Sequence, residues 1–193
     1  MAYRKVIIPI LIILLHSCGG DNSTPKPYAF PRIDRVDTGT KTYEGERFSF
    51  TYSDGAEIVD VPSENDSEIW FNIVYPAYNA TIHCSYIPVK KNMRELLEDS
   101  YQLAYSHATK ANGIEQTIIR DSLNNTSGTL YDIKGSVAVP IQFFTTDSIQ
   151  NFFRGSLYYN QIVNPDSVAP ITHFLRDDII QLMESMKWTK QLK

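Results

Sequence analysis

Few residues of this sequence could do chemistry, and their spacing gathers none of them into a known catalytic pattern. A metal site wants His, Cys or carboxylates at ligand spacing, but His83, His107 and His173 lie far apart, and neither HExxH nor CxxC occurs. A serine nucleophile of the elbow type needs GxSxG, which neither GSVAV at 135–139 nor RGSLY at 154–158 supplies. The glycines of GTLYDIKG, residues 128–135, stand too far apart to cradle a phosphate. Asp177 and Asp178 are adjacent, and neighbours on a helix diverge by about 100°, so they make a poor acid/base pair. The expectation is a chain with no catalytic residue, no cofactor and no metal. A carboxylate-plus-His catalyst assembled from distant positions is the alternative within the enzyme class.

Cys18 is the exception, because its surroundings define its chemistry. Residues 1–5, MAYRK, are basic, and residues 6–15, VIIPILIILL, carry no charge. That order is a secretory signal peptide. At 1.5 Å per residue the apolar run reaches only about 15 Å, half a bilayer core, so it does not read as a spanning helix. Leu15-His16-Ser17-Cys18 resembles the lipobox of bacterial lipoproteins, which are cleaved before a cysteine that receives lipid. Residues 19–32, GGDNSTPKPYAFPR, then form a tether that glycine loosens and Pro25, Pro27 and Pro31 extend. At about 3.1 Å per residue it lifts the domain by up to roughly 43 Å from the lipid. The expected division is a signal peptide over 1–17, lipidated Cys18 and tether over 18–32, and one domain over 33–193. Gly19 stands where an Asp would by resemblance retain a lipoprotein in the inner membrane, so a periplasm-facing place on the outer membrane is favoured.

Composition narrows the partners. Loss of Arg4 and Lys5 with the signal peptide takes the net charge from −4 to −6. This is no electrostatic footprint for nucleic acid, and no basic run offers a second contact with a membrane. With Cys18 lipidated, Cys84 has no disulfide partner within the chain, and in the apolar stretch around HCSY it reads as a small buried hydrophobe.

These residues must be positioned by regular elements. ERFSFTYSDGAEIVD, residues 46–60, offers two strands around the turn signal Ser53-Asp54-Gly55, and 60–67 reads as an exposed loop. Strands at 68–75 and 81–87 form a hairpin through PAYNA. Pairing Tyr75 with Thr81 puts Trp70, Asn72, Val74, Ile82, Cys84 and Tyr86 on one face. Ile69, Phe71, Ile73, Tyr75, Thr81, His83 and Ser85 share the other, and both faces are apolar enough to need cover. Residues 92–111 form a helix, with Asn92 as cap, Glu95 reaching back, and Asn112-Gly113 as the stop. Met93, Leu96, Leu97, Ala104, Ala108 and Ala111 match its spacing. Further strands are expected at 115–120, 127–134, 137–146 and 152–160. Pro140 places its strand at an edge or on a bulge. FFRGSLYYN, with four aromatic residues in nine, reads chiefly as core. A last helix begins near Asp166 or Ser167, with Ile171, Phe174, Leu175, Ile179, Leu182 and Met186 on one side and Arg176, Asp177, Gln181 and Glu184 opposite. The fold class is α+β: a mainly antiparallel sheet flanked by helices.

Together these segments resemble the family of gliding-motility lipoproteins called GldD. The resemblance rests on SCGGD, WFNIVYPAYNATIHCSY, EDSYQLAYSHATKA, LYDIKGSVAVPIQFFTTDS, FFRGSLYYN and SVAPITHFLRDDIIQLMESMKW, in family order, with residues 33–67 matching least. It implies an envelope lipoprotein serving the gliding machinery and the associated type IX secretion pathway, held to the membrane through Cys18, with protein partners and no established catalytic residue. The element order also looks like the PsbP fold, a three-layer arrangement whose members are typically assembly or binding modules. The chain is then open to three readings: a tethered binding or scaffold module, a ligand-binding or chaperone-like lipoprotein with a concave apolar pocket, and an envelope enzyme with polar groups converging in a cleft.

Overall fold

The computed structural model describes residues 34–35, 39–106, 111–161 and 165–189. The expected signal peptide, Cys18, the expected tether, His107 and Ala108 lie outside them. The elements are β1 (Thr40–Glu44), β2 (Phe48–Ser53), β3 (Glu57–Val61), β4 (Ile69–Tyr75), β5 (Ala80–Pro88), α1 (Met93–Tyr105), β6 (Ala111–Asp121), β7 (Thr126–Gly135), β8 (Ile141–Thr146), β9 (Asn151–Tyr159), α2 (Pro165–Ser185) and β10 (Lys187–Trp188). A seven-stranded sheet runs in the order β3-β4-β5-β9-β8-β7-β6, and a three-stranded sheet in the order β1-β2-β10. Every pairing is antiparallel, as the α+β reading expects.

One face of the large sheet is fully covered. Phe48 and Phe50 of β2 lie over it beside Leu175, Ile179, Leu182, Met183 and Met186 of α2. Beneath them the alternation of β4, β5 and β9 supplies Phe71, Ile73, Ile82, Cys84, Phe153 and Leu157. The rings of Phe50 and Phe71 stack at 6.0 Å. This contact explains why β2 and β3 do not form the hairpin that Ser53-Asp54-Gly55 suggests. To stack on Phe71, β2 must lie on top of the sheet that β3 joins at its edge. The turn is a corner between sheets, closed by Ala56 N–H to the Ser53 carbonyl at 3.1 Å and Asp54 N–H to Gly39 at 3.1 Å.

The β4–β5 hairpin forms with a register one residue from the expected one: Tyr75 pairs with Ala80, not Thr81. The connection is a single 3-10 turn, Pro76–Tyr78, ended by Asn79 in the left-handed region at φ 48°. Asn tolerates that conformation, so Ala80 can begin the strand and bury completely. A slip of one residue exchanges faces. Ile82, Cys84 and Tyr86 therefore join Phe71, Ile73 and Tyr75 in the core, while Trp70, Asn72 and Val74 share the opposite face with Thr81, His83 and Ser85.

On that opposite face lies α1, whose Leu96 and Ala104 pack against Tyr131, Phe144 and Phe152. The helix is shorter than expected. It stops at Tyr105, and Ala111 to Gly113 already belong to β6, with a bulge between Ala111 and Gly113. The Asn92 side chain makes no cap bond to the helix; its Oδ1 accepts from Lys90 N–H at 2.8 Å instead. Pro140 is likewise displaced from its expected place: it precedes β8, which is an interior strand, so no ladder donor is missing. Its carbonyl accepts from Ile133 N–H at 2.8 Å.

Helix α2 starts at Pro165, a first-turn position that needs no donor, and so takes in Asp166 and Ser167 where a cap was expected. Its apolar stripe faces the core as the spacing requires, with Ile171 and Phe174 at the margin. The other side is not uniformly solvent-facing. Arg176 Nε lies 2.9 and 3.0 Å from the two oxygens of Asp132 on β7, a buried carboxylate. Asp178, also buried, pairs with Arg35.

This packing sets the cost of substitutions in α2 and β5. Leu175→Ala should cost about 2–5 kcal/mol in urea unfolding, as a core truncation. Arg176→Ala should cost about 1–3 kcal/mol, because Asp132 is left buried without its partner, whereas Gln181→Ala and Glu184→Ala should stay within about 0.5 kcal/mol. An Arg176→Ala protein as stable as the native one would show that the pair contributes nothing. Cys84, 5% exposed, has its thiol pushed well above the usual range by desolvation. It should resist a polar thiol reagent in the folded protein, and Cys84→Ala should cost about 1 kcal/mol. Rapid native-state labelling would contradict its place in the core.

Candidate functional site

Helix α1 covers the part of its face built by β7, β8 and β9, and among the described residues nothing covers the β3–β5 side. There the sheet and the flank of α1 enclose a cleft of about 510 Å³. Strand alternation alone puts its side chains there. Trp70 and Asn72 come from β4, His83 and Ser85 from β5, and Arg154, Ser156 and Tyr158 from β9. Gln142 of β8 and Leu103 of α1 close the helix side.

The polar groups are held in defined positions. His83 Nδ1 is 2.8 Å from Asn72 Oδ1, its cross-strand partner, and the Tyr158 ring meets the imidazole edge-on at 5.2 Å. With Asn72 Oδ1 accepting, Nδ1 carries the proton. Arg154 sits opposite Ser85, and its Nε donates to Ser85 Oγ at 3.2 Å. Gln142 Nε2 donates to the Leu103 carbonyl at 3.3 Å, pinning the last turn of α1 to the sheet and satisfying one of the carbonyls a helix end leaves open. Gly155, between Arg154 and Ser156, has no room for a side chain, because a Cβ there would collide with the Phe143 ring on the core face. The turn that leads from β8 into β9 is fixed by Asp147, whose carboxylate accepts from the backbone of Ile149, Gln150 and Asn151. Burial raises the pKa of this carboxyl, but those bonds outweigh it and hold the group below the usual carboxylate range.

The charge distribution is one-sided. Among the described residues that line the cleft, Arg154 is the only Lys or Arg, and none is Asp or Glu. Among the described residues Arg154 has no carboxylate partner. Under α1 a small cavity of about 20 Å³ extends from the same residues, bounded by Ser100, Gln142, Arg154 and Ser156. Ser100 Oγ is buried there without a hydrogen-bond partner.

Such a set of groups can bind and orient a ligand. His83 and Ser156 are cross-strand partners, but the imidazole bonds to Asn72 and no hydrogen bond joins it to Ser156 Oγ. Among the described residues no three of His, Cys, Asp and Glu come together to hold a metal ion. His173 is on the surface of α2, 3.9 Å from Asp177, and Asp178 is turned to the buried side, so the two adjacent carboxylates diverge as helical geometry requires. Cys18 lies outside the described residues. Arg154 is the residue that reading the sequence missed. FFRGSLYYN reads as aromatic core, and Phe152, Phe153 and Leu157 are indeed buried, but a charge in the middle of a central strand was the available signal.

Comparison with known proteins comes to the same place as the order of the segments. No curated protein matches the chain. Among the described residues no helix is long and apolar enough to cross a membrane. The profile of the family described as gliding motility lipoprotein GldD matches residues 20–188, which takes in every element from β1 to β10. The chain belongs to the gliding motility lipoprotein GldD family.

Proposed function

We propose that this gliding-motility-associated lipoprotein acts as a tethered binding module of the cell envelope and not as an enzyme. The observation that carries this reading is the half-open sheet face, with recognition groups fixed in a cleft and no nucleophile bonded to a base. Polar convergence meets the first requirement of a catalyst, but it lacks the activated nucleophile that the chemistry needs. The signal peptide over 1–17, the lipid on Cys18 and the leash over 18–32 complete the proposal. So do a periplasm-facing position, with the outer membrane favoured, and service to type IX secretion through protein partners. Nucleic acid is a poor partner for a chain of this acidity. We also read the arrangement of a small sheet and α2, a large sheet, and α1 as PsbP-like in its three layers.

The cleft favours one second reading. A ligand-binding lipoprotein fits its size and polarity, whereas a chaperone for unfolded chains would want a more uniformly apolar surface.

Anchoring depends on one sulfur. Cys18→Ala should move the protein out of washed membranes with its melting profile unchanged, since the change falls outside the described elements. Retention of the variant in the membrane pellet would count against lipid attachment at this residue. Crosslinking in the native envelope should capture a motor or secretion component together with the chain. A catch free of both would remove the scaffold reading.

A further inference from the structure

Among the described residues that line the cleft, the guanidinium of Arg154 is the one permanent charge, and it is under-used. Arg carries five N–H donors in a planar fork. Among the described residues only Nε is bonded, to Ser85 Oγ, so that contact orients the side chain while the terminal nitrogens remain for a ligand. Among the described residues the lining holds no carboxylate to neutralise the charge. At the inner end Ser100 Oγ is buried with no partner beside Arg154 and Gln142, a cost that a native fold rarely carries without use. On either side stand apolar groups: Trp70 and Val61 towards the sheet edge, Leu103 and Tyr158 towards the helix.

We propose that this cleft binds a monoanionic, carboxylate-bearing small ligand with an apolar body, its carboxylate on Arg154 and its body between Trp70, Leu103 and Tyr158. The inference rests on reading the cleft as a binding surface and names what it takes. The cleft volume of about 510 Å³ falls in the ordinary range for small-molecule sites, about 300–1,000 Å³. Carboxylate is favoured over phosphate by the charge present. A single Arg matches a single negative charge. The part of α1 that reaches the cleft is its C-terminal turn at Leu103, and the negative end of a helix opposes a dianion more strongly than a monoanion.

The carboxylate could belong to a free acid or to the C-terminus of a short peptide, and two pairs of probes separate these. One pair is 4-phenylbutyrate and 4-phenylbutyramide. The other is an acetylated tripeptide ending in phenylalanine, as free acid and as amide. The readout is the backbone-amide NMR shifts of Asn72, Ser85 and Gln142 in the full chain, held in detergent. Saturable shifts at these residues are expected with an acid in the millimolar range that fragments of this size reach. The matching amide should bind at least roughly tenfold more weakly, as should the acid to Arg154→Gln. The amides test the charge on the native protein, so the result stands even if Arg154→Gln fails to fold. Tighter binding of the peptide acid assigns the carboxylate to a chain terminus, and tighter binding of phenylbutyrate to a free acid.

Equal binding of acid and amide would overturn the proposal, leaving an apolar groove without charge recognition. So would no shift with either acid, or shifts with inorganic phosphate and none with the acids. None of these results bears on whether Cys18→Ala leaves the membrane, so anchoring and ligand class fail separately.

Discussion

A helix about 10 Å across cannot roof a sheet of seven strands. Strands spaced about 4.8 Å apart make a surface nearly 29 Å broad, so one helix covers two or three of them. On the core face the chain meets this constraint with two elements side by side, the small sheet and α2. On the other face the described residues supply only α1, centred on the β7–β9 side. The exposed remainder, towards β3, β4 and β5, is where half-polar alternation becomes tolerable and then necessary. Asn72, His83, Ser85, Arg154 and Ser156 all occupy outward positions there, and their inward neighbours Phe71, Cys84 and Phe153 are buried. The cleft is thus a consequence of unequal cover, made specific by which side chains the open strands turn towards it.

Much of this architecture was legible because it is local. Strand alternation and helical periodicity identified nearly every element, and the inward stripe of α2 is the one its spacing implied. What was not legible depends on contacts remote in sequence. The hairpin register turned on whether Asn79 would take a left-handed conformation, which moved Cys84 from the Trp70 side to the Phe71 side. Asp54-Gly55 looks like a hairpin turn in isolation, and only the stacking of Phe50 over Phe71 makes it a corner between sheets. Arg154 was hidden by its neighbours, since an aromatic run announces core more loudly than one cation announces a site. Arg176 looked like a solvated residue for a similar reason: its partner Asp132 is on a strand far earlier in the chain.

The two buried carboxylates, Asp132 and Asp178, serve α2 in a way its apolar stripe does not. Hydrophobic contact is non-directional and would permit the helix to slide or rotate over the sheet. Arg176 on Asp132 sets its rotation relative to β7 and, through Nη2 to Thr117 Oγ1 at 3.3 Å, relative to β6. Charged pairs of this kind are weak sources of net stability, and geometric definition is the better account of them.

The pair between Arg35 and Asp178 has a mechanical meaning. Arg35 precedes the first strand, and its partner is on the last helix, on the covered side of the sheet. A pull on the chain upstream of Arg35 therefore meets α2 before it meets β1. Strand β1 is the outer strand of the small sheet, bonded only to β2, and would otherwise be peeled away one rung at a time from Thr40. With the ion pair upstream, tension is first shared with a 21-residue helix seated in the main core. A load applied from the N-terminal side would engage the main core before the outermost strand.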